Sequence, residues 1–363
     1  MQRATLGYER LPGSISEFDS LRKIGGDMST AIDFVRQMKV GISIGDTLDA
    51  FHTALPVDAP TEKSETAWGK PVITEELVDT ILGTGFQLIR IPVTWSGHLY
   101  REDDYRIEPN WLARVKEVVD YAYRRGAFVI LNLHHEDWNF PYYDNKETAC
   151  SIMRLIWKQL ADTFAEYDEH LIFEGQNEPR KIGTDLEWNG GDQEGWDVVN
   201  ATNQVFVETV RSAGGNNAGR YLMIPGYAAN CQVGIKHIAI PRDERIIISV
   251  HAYEPYDFAL KIDGRATWNQ DTKMIDALMD DLKTLYVDRG IPVIIGEFGA
   301  MNKDNEEDRA EWVRYYLDKA REIHVPCVWW DNGNFSDKGE RFGLINRYDY
   351  TVTYPKVVAE LIK

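Results

Sequence analysis

Cysteine is scarce: Cys150, Cys231 and Cys327 lie far apart, without the paired spacing that holds zinc or shuttles disulfides. One disulfide at most is possible, so the three read as buried thiols. No run of eighteen apolar residues occurs, and the first 39 residues lack a basic stretch followed by an apolar one. A soluble chain with no membrane association is expected, any export signal having been removed or never present. Positive charge is also short, with 40 Lys and Arg against 58 Asp and Glu, a formal net charge of −18. Nucleic acid would be repelled over most of such a surface, which leaves neutral or cationic partners. Repeats, low-complexity tracts and Gly/Ser linkers are missing too, so nothing divides the chain.

What is present fits one large globular unit. Hydrophobic residues make up 44% of 363 positions, enough for a sizeable core, and eleven Trp could either fill that core or stack on flat sugar faces. Short β-rich runs recur at residues 38–44, 86–93, 128–134, 171–178, 221–227, 246–253, 292–298 and 326–331. Helical periodicity fills most intervals, at residues 75–82, 111–123, 151–164, 198–210, 274–286 and 312–323. Gly85, Gly126, Gly214 and Gly290 follow such patterns, where a left-handed cap suits glycine. Residues 232–243 are too short and Pro-broken for a long helix. Alternation of strand and helix argues for parallel strands, and eight of them for a (β/α)8 TIM barrel. The organisation expected is a single domain, with residues 1–37 as an N-terminal extension and covering helix and residues 38–363 as the barrel.

In such a barrel the chemistry sits at the carboxyl ends of the strands. There the fourth run, Leu171-Ile172-Phe173-Glu174-Gly175-Gln176, leads into Asn177-Glu178-Pro179, and the seventh, Val293-Ile294-Ile295-Gly296, delivers Glu297. One Asn-Glu-Pro alone would be a loop acid capping a helix. A second carboxylate on the same rim changes that reading, because retaining glycosidases set two carboxyl groups roughly 5 to 5.5 Å apart, one to attack the anomeric carbon and one to protonate the leaving oxygen. An ion pair at the barrel mouth is the bland alternative.

The residues at this point resemble glycoside hydrolase family 5. Residues 171–180 look like its signature ending in Asn-Glu-Pro, and Ile89-Arg90-Ile91-Pro92-Val93-Thr94-Trp95, Leu131-Asn132-Leu133-His134-His135, Val250-His251-Ala252-Tyr253 and Trp329-Trp330-Asp331-Asn332-Gly333 resemble further segments in order. Subfamily 4 is the most similar, through Gly45-Asp46-Thr47-Leu48-Asp49-Ala50, although Asp46 stands where Asn would be expected. An amide both donates and accepts, whereas a carboxylate only accepts.

The resemblance implies a retaining endo-β-1,4-glycanase acting on cellulose, mixed-linkage glucan or xyloglucan, with xylan or mannan as alternatives. It makes Glu178 the acid/base, Glu297 the nucleophile and Asn177 a ligand of the sugar 2-hydroxyl. Arg90 and Tyr253 would hold Glu297, His134 and His251 would bond the sugar or the acid, and Trp330 would lie under the cleaved residue. Adjacent side chains on a strand point to opposite faces, so only one of His134 and His135 should face the axis, and His134 is the choice. Trp68, Trp95, Trp138, Tyr142, Tyr143, Trp188, Tyr256 and Trp268 fall in loops after strands, where aromatics can stack on pyranose rings.

Two readings of other classes compete. A metal-dependent barrel hydrolase could use His134, His135, Glu136 and His251, but adjacent histidines should diverge and no His-Glu-x-x-His helix exists. A non-catalytic carbohydrate-binding barrel would not need both acids intact. The expectation is therefore a monomeric enzyme with no cofactor and no metal, whose partner is a β-linked polysaccharide or oligosaccharide. A bulky polymer implies work outside the cytoplasm, in an extracellular or periplasmic location.

Overall fold

A computed structural model describes residues 29–363. All eight barrel strands appear: β1 (Val40–Ile44), β2 (Leu88–Ile91), β3 (Phe128–Asn132), β4 (Leu171–Glu174), β5 (Leu222–Asn230), β6 (Ile246–His251), β7 (Val293–Phe298) and β8 (Cys327–Asp331). Each pairs in parallel with its sequence neighbours, and β8 closes on β1 in the register Val40–Cys327 to Ile44–Asp331. This is the closed (β/α)8 barrel that the alternating pattern implies.

The six long helices are Glu75–Thr84, Pro109–Tyr123, Lys146–Thr163, Gln193–Ser212, Lys273–Leu285 and Glu306–Glu322. Between β5 and β6 there is only a 3-10 turn, Gly234–His237, as the Pro-broken sequence requires. The four capping glycines all have positive φ, from 71° at Gly214 to 120° at Gly85. Unanticipated elements include a small antiparallel hairpin, Leu99–Tyr100 with Arg106–Ile107, the short helices Thr61–Glu65 and Tyr256–Ala259, and the helix Pro355–Leu361, packed on Glu306–Glu322. Cys231 and Cys327 are buried, Cys150 is half-buried, and all three are free. Among the described residues, no helix is long and apolar enough to cross a membrane.

Inside the barrel the side chains alternate with period two. Leu88, Ile130, Ile172, Met223, Ile247, Ile294 and Val328 form a hydrocarbon layer at the amino-terminal end, continuous with Ala31, Phe34, Val35 and Met38. The last four come from the helix Ser29–Arg36 and the turn after it, so this helix floors the barrel. Phe34 stacks on Tyr221 with centroids 3.8 Å apart and meets Phe128 edge-on at 5.6 Å. The helix falls within the span expected as an extension, residues 1–37, of which residues 1–28 lie outside the described part.

Two residues further along most of these strands the layer turns polar, with Arg90, Asn132, Glu174 and Ser249, joined by Gly296 and Trp330. All four polar side chains are fully buried. The floor supplies rigidity, and the layer above it supplies charge.

Candidate active site

β4 ends at Glu174, four residues before Glu178, and β3 ends at Asn132, two before His134. Both apolar runs read longer in the sequence than the ladder that they form. Glu178 and His134 therefore stand on the first turns beyond the strands, in the loops that make the concave end of a barrel.

Arg90 organises the polar layer. Its Nε donates to Glu174 Oε2 at 2.8 Å, Nη1 to Glu297 Oε1 at 2.7 Å and Nη2 to Asn177 Oδ1 at 2.6 Å. Burial works against the guanidinium charge, but Glu174 and Glu297 outweigh it and hold the pKa above its usual value. Glu174 also accepts from Asn132 Nδ2 at 3.0 Å and Ser249 Oγ at 2.6 Å, so this buried carboxylate is fully served. Sequence reasoning missed Glu174 as a site residue. Counting in twos from Ile172 along β4 would have found it, since it sits on the inward face beside Arg90.

Glu297 ends the same chain of contacts. Arg90 serves Oε1, and Tyr253 donates its hydroxyl to Oε2 at 2.9 Å, so each oxygen is fixed by its own donor. Burial, with the charges of Glu297 and Glu178, pushes the Tyr253 phenol well above 10, which keeps it a donor. Asn177 has given its Oδ1 to Arg90, which leaves its amide N–H groups for a ligand.

Glu178 has different company. Its Oε1 lies 2.7 Å from His251 Nδ1, which is itself 3.7 Å from Glu297 Oε2. Burial would raise Glu178, yet the His251 hydrogen bond and the nearby charges of His251 and Arg180 prevail and hold it below the usual range. Burial would lower His251, but Glu297 and Glu178 raise it. The two groups are joined by this one hydrogen bond, so a proton taken up by either bears on the other. One carboxylate oxygen of Glu178 and one of Glu297 lie within 4.8 Å of each other, with a His251 nitrogen inside the same limit.

His134 is neutral, in a tautomer that its neighbours fix. Asn132 Oδ1 accepts from Val93 N–H, so the Asn132 amide donates toward His134 Nδ1 at 3.1 Å. Nδ1 is then an acceptor and Nε2 carries the hydrogen. Burial holds its pKa well below 6.5. Its ring lies parallel to Trp330, with centroids 5.7 Å apart and a 2° interplanar angle. The Trp330 indole rests over Gly45, where a Cβ would meet the ring at 2.6 Å.

The scan against family models matches residues 52–336 to the cellulases of glycosyl hydrolase family 5. The chain belongs to glycosyl hydrolase family 5. Among curated family 5 relatives, endoglucanase B of Neocallimastix patriciarum is 52% identical over 336 residues, covering 91% of this chain and 71% of the relative. Endoglucanase A of Ruminococcus albus is 45% identical over 329 residues, 88% of each chain. Among solved structures, a broad-specificity subfamily 4 endoglucanase from Ruminococcus champanellensis with bound cellotriose has a TM-score of 0.89 at 40% identity, covering 92% of this chain and 98% of that one. A family 5 lichenase from Caldicellulosiruptor sp. F32 has a TM-score of 0.88 at 38% identity, covering 99% of each. The protein is a glycoside hydrolase, an endo-β-1,4-glucanase in type.

For this family 5 enzyme several sequence expectations need correction. His134 and His135 do not diverge: both line a cavity of about 1050 Å³ with Glu178, Arg180, Phe51 and Trp68. Strand alternation stops at Asn132, so it does not govern them, and their rings meet edge-on at 4.4 Å. Oxygen and nitrogen atoms of Asp49, His134 and His135 come within 4.8 Å of one another, a convergence that the diverging-histidine argument denied.

Trp95 cannot stack on sugar, being fully buried with Nε1 donating to Asn132 O at 2.9 Å. Trp138 is buried with Nε1 on Glu136 Oε2, and Trp268 is buried as well. Trp68, Trp188, Tyr143 and Tyr256 are exposed, and Tyr142 is half-buried. Trp329 is core, its Nε1 donating to Phe342 O. Asp46, at φ 58°, puts its carboxylate 4.0 Å from Lys70 Nζ.

Proposed function

We propose that this enzyme cuts internal β-1,4 linkages of glucan backbones, cellulose, mixed-linkage glucan and xyloglucan among them, by double displacement with retention. Glu297 is the nucleophile and Glu178 the acid/base. The observation that carries the assignment is the asymmetry of their partners. Glu297 is held by a permanent cation and a phenol, whereas Glu178 is held by an imidazole that can exchange a proton with it.

Glu297 attacks the anomeric carbon while the proton shared by Glu178 and His251 passes through Glu178 to the leaving oxygen. Bonding to carbon removes the charge of Glu297. Glu178 then takes a proton from water, which attacks the same carbon from the face that the leaving group vacated, breaking the bond to Glu297 and releasing it as a carboxylate. Asn177 binds the 2-hydroxyl, His134 Nε2–H another hydroxyl, and Trp330 lies beneath the ring. Exposed Trp68 and Trp188, with His135, extend the sugar contacts along the cleft. A polymer of this size is met outside the cytoplasm, and the enzyme works there, extracellular or periplasmic, as a monomer without a cofactor.

The test is Glu297→Ala and Glu178→Ala on mixed-linkage glucan, followed by reducing ends, together with NMR of the first-formed anomer from the unaltered enzyme. Each variant should lose activity by roughly three orders of magnitude or more, and the first product should be the β anomer. A first-formed α anomer would overturn the mechanism. A panel of glucans, xylan and mannan read by the same assay decides the backbone, and a rate on xylan above that on every glucan would overturn the substrate reading.

A further inference from the structure

We infer that Arg180 is a positioning residue for the leaving-group side of the cleft: it seats the exposed indole of Trp188 and keeps the outer oxygen of Glu178 open to the glycosidic oxygen. The inference rests on the reading of Glu178 as proton donor. It assigns a role to a side chain that touches neither Glu297 nor Arg90.

The two oxygens of Glu178 are treated differently. Oε1 is bonded by His251 Nδ1 at 2.7 Å. Oε2 has Arg180 Nη1 at 3.5 Å, too far for a good hydrogen bond. Arg180 is kept from closing by other anchors, since Nη1 donates to the main-chain oxygen of Glu178 at 3.0 Å and Nε to Glu187 Oε1 at 3.2 Å. Glu187 is itself fixed by Gly183 N–H on its other oxygen, at 2.8 Å. The cation therefore stands near Oε2 without occupying it, and Oε2 is the oxygen free to meet a substrate.

The same guanidinium covers one face of Trp188, with Cζ 4.1 Å from the ring centroid. Arg180 is only 16% exposed, while Trp188 is 57% exposed. An indole backed on one side by a planar cation has its tilt set and one face left open, the form suited to stacking on a pyranose. Both contacts come from the loop that carries Glu178. The sugar beside the proton donor, beyond the bond being cut, is the leaving group, and Trp188 is placed to bind it.

The experiment compares Arg180→Gln, Arg180→Lys and Trp188→Ala on cellopentaose and on 2,4-dinitrophenyl β-cellobioside. The aryl leaving group needs no proton and no sugar contact beyond the cleaved bond. For Arg180→Gln we expect kcat/KM to fall about 30- to 100-fold on cellopentaose and no more than about threefold on the aryl glycoside.

The charged or titratable groups around Glu178 are His135 beyond β3, Arg180 on its own loop, His251 at the end of β6, Tyr253 beyond it, Glu297 on β7 and Glu340 beyond β8. Deleting the Arg180 charge makes the Glu178–His251 pair hold its proton more tightly. The basic limb of the kcat/KM profile on cellopentaose should then move up by roughly half a unit. Arg180→Lys keeps the charge and should leave the limb in place while raising KM, and Trp188→Ala should do the same. Equal losses on both substrates, or an unmoved limb in Arg180→Gln, would overturn the inference. Glu178→Gln tests the underlying reading separately: it should abolish cellopentaose cleavage yet release a burst of dinitrophenolate, and retained cellopentaose cleavage would sink that reading instead.

Discussion

A single guanidinium meets Glu174, Asn177 and Glu297 at once, so the cost of removing it falls on three partners. Arg90→Met would take the guanidinium from two buried carboxylates, Glu174 and Glu297, which we expect to destabilise the fold by about 3–5 kcal/mol and to reduce kcat severely. Thermal unfolding and steady-state rates check both effects together. Tyr253→Phe is the contrasting case. It removes one hydrogen bond to Glu297, of the charge-assisted kind worth about 1.5–3 kcal/mol. A fall of kcat/KM of roughly ten- to a hundredfold should come with a melting temperature close to that of the unaltered protein. A melting temperature lowered as far as in Arg90→Met would show that the phenol is structural.

The barrel elements were legible because each strand and helix carries its own periodicity, and all eight strands lie where apolar runs alternate with helical spacing. Their ends were not. Leu133-His134 and Gly175-Gln176-Asn177 prolong the pattern past the regular strands, where backbone bonds such as His134 N–H to Val93 O and Asn177 N–H to Leu133 O persist but the side-chain alternation does not, and the orientation assigned to His135 failed for that reason. Glu178 and Glu297 could be read because one lies just past a short apolar strand and the other near the end of one. Glu174 could not be read by looking only at strand ends, since its role depends on Arg90 and Ser249 from other strands. Nor does a loop position decide the exposure of an indole: Trp95 and Trp138 are turned inward by Asn132 O and Glu136 Oε2, contacts that propensity does not encode. The flooring helix gives a test at this scale. Phe34→Ala should destabilise by about 3–5 kcal/mol and leave kcat/KM within about twofold, because the helix closes the end opposite Glu178. A large change in KM without loss of stability would contradict that separation.

Taken whole, the molecule is strongly anionic, at −18 by formal charge, and its cleft should discourage anionic polymers. Hydrolysis of carboxymethylcellulose should therefore speed up as salt is raised from low ionic strength, while neutral mixed-linkage glucan responds little. Equal salt responses would argue against an electrostatic barrier. Burial pushes Asp49 up to about 7 despite its backbone donors, and Glu136 up to about 7 despite Ser96, Trp95 and Trp138. The folded protein thus holds these protons more tightly than the unfolded chain. Their contribution to stability is whole below the ordinary carboxylate range and is lost as pH rises through about 7. The melting temperature should decline as pH rises from the ordinary carboxylate range to about 7, and Glu136→Gln should flatten that decline. A rise over the same range would refute the assignment.

One guanidinium joining the ends of β2, β4 and β7 has a further consequence for anyone altering this protein. Substitutions at Glu174, Asn177 and Glu297 will not combine as independent events, because each changes what the shared cation has left to give the other two. Libraries that vary these positions one at a time will find only losses, and any workable alternative arrangement has to be sought with all of them randomised together.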